Sequence, residues 1–272
     1  MLGSDDVRPV DELLAALDTV FVQARRPPRL EACPCCLRPD KIEALLSRPR
    51  KLLSVDDLQQ YTTVAMNGAG SAEDLRYFCP RILELCHTGE MDWPDIEIVY
   101  DHLRCADWKS WPEAGAVAEL MDALWTRILT DYPESDAPGD LLCAFGSAAG
   151  SVATNLASWS RLEHAAAVHS LRDFLIDQVE VRNGALAPRN PFWDTKSTAH
   201  CEVVRWLNGG AARRAVDRAI ARGTEDHDLL RSLVESVEVL ELGGARSSAA
   251  ETGHGDTSNE RFLREGVDEC QR

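Results

Sequence analysis

The sequence predicts an all-α protein, an irregular antiparallel helical bundle or short α-solenoid with a disordered C-terminal tail. Three observations predict it. Apolar residues recur at three- and four-residue spacing along most of the chain, the period of a helix buried on one face. Ser, Asp, Pro and Gly punctuate these stretches where helix ends belong. β-branched residues nowhere alternate over more than a few positions, so no strand is expected.

The first helix is expected over residues 10–25. Leu13, Leu14, Leu17, Val20 and Phe21 share a face, and Pro27-Pro28 ends it. A short loop, 31–36, precedes a second helix over 40–47. Ser54 with Asp57, and Ser71 with Asp74, then read as capping boxes. In each, a side-chain oxygen accepts from amides that the first turn leaves without partners. The first box opens a helix carrying Leu58, Tyr61 and Ala65, with Gly68 just past its end. The second opens one carrying Leu75, Phe78, Ile82 and Cys86. Pro80 lies inside it, where the missing amide and the ring should kink or split the helix.

A further helix fits 94–107. Ser110, Pro112 and Glu113 then introduce the widest stripe of the chain, Val117, Leu120, Met121, Leu124, Trp125, Ile128 and Leu129. The turn formers of 133–139 divide two helical halves, 1–132 and 140–242, which could form one continuous domain. In the second half, helices are expected near 141–148, 152–158, 161–181, 195–208, 211–222 and 225–242, with a loop over 183–191. Gly209, Gly223 and Gly243 fall where C-terminal caps belong. From 243 to 272 the composition turns small and polar, which reads as a flexible tail with room for a frayed helix near Arg261. No repeat at a fixed period is visible.

The net charge of −16 repels phosphate backbones, so broad nucleic-acid binding is disfavoured and a basic protein partner is favoured. Lysine occurs only at 41, 51, 109 and 196; the other basic residues are arginine. With the many alanines, this points to a GC-rich bacterial genome of the actinobacterial type. The acidic start lacks an apolar leader, and no stretch approaches a membrane span. Nine scattered cysteines then read as mostly reduced thiols in the cytoplasm.

Linear catalytic motifs are missing: there is no G-x-S-x-G elbow, Walker loop or G-x-G-x-x-G. The motif with most chemistry is Cys33-Pro34-Cys35-Cys36. Cys33 and Cys36 have the C-x-x-C spacing, which lets two thiolates bind one zinc ion or two thiols close a redox disulfide. A structural zinc needs two more ligands. His102 and Cys105, three apart on a helix, are the best second pair, and Cys79, Cys86 and His87 are further ones. Glu84-x-x-His87 has di-iron spacing, but its only counterpart, Glu251-x-x-His254, lies in the expected tail. Asp101-His102 and Glu163-His164 are sequence neighbours whose side chains diverge on a helix. Arg214, Arg218 and Arg222 line one helix face, a surface for an acidic group or partner. Among seven tryptophans, Trp108 and Trp111 bracket a turn, where they could wedge a helix junction or offer a partner an aromatic patch.

Several segments together resemble a family of uncharacterised bacterial, actinobacterial-type, all-helical proteins. They are Cys33-Pro-Cys-Cys, Leu53 to Tyr61, Ala65-Met66, Phe78 to Leu85, Ala106 to Pro112, Phe192-Trp193 and Val204 to Leu207. The resemblance would cover about residues 30 to 240 and implies a helical fold without a known activity. That pattern has Leu at the position of Cys79 and does not require His102 or Cys105, so a four-ligand zinc site would be particular to this chain. The function expected is therefore a non-enzymatic interaction or scaffold protein. The alternatives are a zinc- or thiol-dependent protein centred on Cys33 and Cys36, and an enzyme whose site is assembled from distant acids and histidines.

Overall fold

A computed structural model describes residues 8–133 and 136–244. The chain divides into two compact units, Met1–Thr126 and Arg127–Arg272. The division falls late in a helix, α6, that spans Ala114–Thr130, rather than at the 133–139 turn. Among the described residues the fold is helical apart from one small hairpin. No helix there is long and apolar enough to cross a membrane.

The first unit contains α1 (Val10–Val20), α2 (Pro39–Ser47), α3 (Val55–Val64), α4 (Ala72–His87), α5 (Ile96–Cys105) and most of α6. The expected stripe of α1 is buried through Val10, Leu13, Leu14 and Leu17. Both capping boxes form as read. The Ser54 and Ser71 hydroxyls accept from the Asp57 and Asp74 amides, and each aspartate accepts from its serine's amide in return. α4 packs on α1, α3 and α5, and its Phe78 meets Tyr61 of α3 edge-on at 5.0 Å.

Pro80 does not split α4, which runs unbroken for 16 residues. Its ring is buried with Phe78, Ile82 and Leu83, so packing offsets the one lost backbone bond.

Two arginines tie the first unit together. Arg50 is buried, and its guanidinium donates to Asp18 Oδ1 at 2.6 Å and to the carbonyls of Asp18, Phe21 and Tyr77. It thus neutralises the carboxyl end of α1. Arg76 donates to both carboxylate oxygens of the buried Glu113, at 2.9 and 2.8 Å. Burial pushes the Glu113 carboxyl up, but the hydrogen bonds and charge of Arg76 outweigh it and hold the group below the usual carboxylate range. Trp108 and Trp111 are core residues, and Trp111 stands edge-on to Phe21 at 6.1 Å. Of the two roles open to them in the sequence, packing or an exposed patch, their burial before α6 fits packing.

The second unit follows with α7 (Pro138–Ala149), α8 (Ala153–Trp159), α9 (Ala165–Asp177), β1 (Val179–Arg182), β2 (Ala185–Pro188), α10 (Thr198–Asn208), α11 (Ala211–Arg222) and α12 (His227–Gly244). Trp159 sits at the centre of it. Its ring stacks on Trp206 at 5.6 Å, and its indole N–H donates to the Ala167 carbonyl. α12 packs along α9.

The hairpin corrects the expectation that no strand occurs. β1 and β2 pair antiparallel, Val179 against Pro188 and Arg182 against Ala185, around Asn183 and Gly184 at φ +53° and +82°. Asn-Gly is the residue pair that a tight two-residue turn demands. The helix expected over 161–181 therefore stops at Asp177.

α12 includes Gly243, which was expected to be a cap. A Cβ there would stand 2.8 Å from Leu186 Cγ, so the glycine allows α12 to approach β2. Of the expected tail, residues 245–272, with Glu251, His254 and Arg261, lie outside the described residues.

Candidate thiolate metal centre

The site is built on two short backbone segments of the first unit. The segment around Cys33 runs alongside the turn that follows α3. The Cys33 amide donates to the Gly68 carbonyl and the Gly70 amide to the Glu31 carbonyl, both at 2.8 Å, with Ala32 bridged to Ala69. Leu30 and Leu37, both buried, anchor the segment's two ends. Between them the Cys33 carbonyl accepts from the Cys36 and Leu37 amides, which folds Cys36 back toward Cys33. Pro34 suits the start of this turn because it has no amide to satisfy. The Gln60 side chain reaches over from α3 to donate to the Cys36 carbonyl at 3.1 Å.

This folding collects three sulfurs. Cys33 Sγ lies 2.7 Å from Cys35 Sγ, and Cys35 Sγ lies 3.7 Å from Cys36 Sγ. All three are within 4.8 Å of one another. Cys33 and Cys35 are exposed and Cys36 is half-buried. The contact with Cys35 holds the Cys33 thiol below its usual range, while the same contact pushes Cys35 up to about 11. Three adjacent, solvent-reachable thiols can bind a soft ion or exchange disulfides.

The expected partners of Cys33 and Cys36 are elsewhere. No ligand atom of His102 or Cys105 is among those gathered within 4.8 Å. Their i, i+3 spacing does not give them a shared environment. His102 faces inward against Leu75, Cys79, Ile82 and Val99, beside the backbone of Thr62 and Thr63. Burial holds its pKa below the usual range. Cys105 ends α5, exposed beside Asp101. Cys35, which the C-x-x-C reading passes over, takes the third position instead. The signal for it was the run of three cysteines in four residues.

The remaining sequence candidates fall into structural roles. Cys79 is buried, and burial raises both its thiol and that of Cys86, the latter to about 12. His87 shares a hydrogen bond with the Tyr100 hydroxyl at 3.0 Å, while Glu84 pairs with Arg81, so these two do not form a ligand pair. In the second unit, Arg218 donates to the Ser160 carbonyl and Arg222 to those of Arg161 and Leu162. They cap the carboxyl end of α8, as cations favour. Arg214 donates to the Gly209 carbonyl at 3.3 Å.

No known protein family, curated protein or solved structure matches the chain.

Proposed function

We propose that this is a non-enzymatic helical protein that binds one thiophilic metal or metalloid ion through Cys33, Cys35 and Cys36. The observation that carries the reading is the convergence of three sulfurs within 4.8 Å on a loop fixed at both ends. A redox pair needs only two thiols. The third sulfur within ligand distance completes an ion's coordination. Hydrogen bonds from Gln60, and from the Cys33 amide to Gly68, hold the backbone before any ion arrives, which lowers the entropic cost of binding.

The test is elemental mass spectrometry on untagged protein purified without chelator, beside a variant with all three cysteines changed to serine. The expected result is a stoichiometric thiophilic ion, bound as purified or on adding back metal, that the variant lacks. Equal ion content in both proteins would refute the reading.

A further inference from the structure

We infer that the bound species is three-coordinate and that the triad is a site for trivalent arsenic, taken up as arsenous acid; this rests on the ion-binding reading above. A structural zinc site takes four protein ligands. Among the described residues no histidine, carboxylate or further cysteine atom joins the three sulfurs within 4.8 Å. The acids nearest in sequence are engaged: Glu31 pairs with Arg29 at 2.8 Å and Asp40 with Arg38 at 2.9 Å. Trivalent arsenic needs no fourth ligand, since its lone pair occupies that position.

Tetrahedral zinc at its usual Zn–S length of about 2.3 Å would separate two sulfurs by about 3.8 Å. A pyramidal centre with angles near a right angle and a similar bond length would separate them by about 3.3 Å. The Cys33–Cys35 separation, 2.7 Å, lies nearer the smaller value, and the Cys35–Cys36 separation, 3.7 Å, nearer the larger. Both centres would have to open the Cys33–Cys35 contact, zinc by about half an ångström more.

Three thiolates leave one negative charge on zinc and two on cuprous copper, but none on trivalent arsenic. The site is exposed, the chain already carries −16, and the arginines flanking the loop are committed to Glu31 and Asp40. A neutral complex adds nothing to that repulsion. The exposed face formed by Cys33 and Cys35 leaves the acid a way in and gives the lone pair an outlet to solvent.

The reaction balances without a co-reactant. Arsenous acid loses three hydroxyl groups as three As–O bonds break. Three As–S bonds form, and each thiol proton leaves with one hydroxide as water. Arsenic and sulfur keep their oxidation states.

The experiment titrates the reduced full chain with arsenite, and separately with Zn(II) and Cu(I), without oxygen. Native mass spectrometry and free-thiol counting report the product. One arsenic per chain and protection of three thiols are expected. Cys33→Ser, Cys35→Ser and Cys36→Ser should each weaken arsenite binding by at least about tenfold, or 1.4 kcal/mol. Cys105→Ser, an exposed thiol outside the triad, should change nothing. Because Cys35 is exposed, Cys35→Ser should keep the helical circular dichroism of the parent. Zinc or copper held stoichiometrically against equimolar arsenite would overturn the arsenic assignment and leave the ion site standing. Protection of two thiols only, indifferent to Cys36→Ser, would overturn three-coordination. Failure of all three ions to protect thiols would overturn both this inference and the reading beneath it.

Discussion

Gly68 passes so close to Cys36 that a Cβ on the glycine would stand 3.0 Å from the Cys36 sulfur and 3.1 Å from its Cβ. The turn after α3 therefore sets where the third thiol lies. Gly68→Ala should displace Cys36 by a few tenths of an ångström and weaken ion binding several-fold, with little change in helix content. Competition with a chromophoric chelator would measure it, and unchanged affinity would show that the sulfur position is not set by this contact.

Arg50 presents a second constraint, from a different kind of group. A lysine could keep its charge but not the forked donors that reach Asp18 and the carbonyls of Phe21 and Tyr77. Arg50→Lys should destabilise the first unit by about 2 kcal/mol, and Arg50→Ala by about 3 or more, because buried acceptors lose their partners. Urea unfolding followed by circular dichroism gives both values.

Acid should destabilise the protein in two windows. Burial holds the folded pKa values of His102 and His200 below the unfolded value of about 6.5. The unfolded chain therefore binds more protons as pH falls below that value, and stability declines. His102→Leu should remove part of this slope. Asp18, Asp57 and Glu113 are depressed carboxylates. Their contribution is complete above an unfolded pKa of about 4 and is lost as pH falls through their folded values. Stability measured from pH 8 to 3 should show both declines, and a profile flat from 7 to 5 would contradict the histidine assignment.

Gly243→Ala should cost the second unit about 1–3 kcal/mol, since its methyl group overlaps Leu186 on β2. On an exposed helix surface the same change would stabilise. A rise in melting temperature would show that α12 does not press on the hairpin.

The helices were legible because several levels of the sequence agree about them. At Ser54 and Ser71 the cap, the acid three residues on and the apolar period coincide, and both boxes form. Asn183-Gly184 was equally plain as a turn, but its flanks, Val-Glu-Val-Arg and Ala-Leu-Ala-Pro, are too short to announce strands by alternation. Pairing there depends on support from elsewhere: Asn208 of α10 bonds both the amide and the carbonyl of Leu186. Spacing also failed at His102 and Cys105. Sharing a helix face says nothing of burial when one residue is central and the other ends the helix. In the triad, the C-x-x-C template drew attention to the outer pair, whereas the fold of the turn decides that Cys35 belongs with them.

The doubled backbone tie between the cysteine segment and the turn after α3 has a thermodynamic consequence. An ion seated on the three sulfurs would close a loop whose amino-terminal side, at Glu31 and Cys33, is already tied to Gly70 and Gly68. If the ion proposed above binds the folded loop and not the unfolded chain, its free concentration raises stability by about 2.7 kcal/mol at a hundredfold excess over the dissociation constant. The protein's heat resistance would then be a gauge of how much of that ion surrounds it.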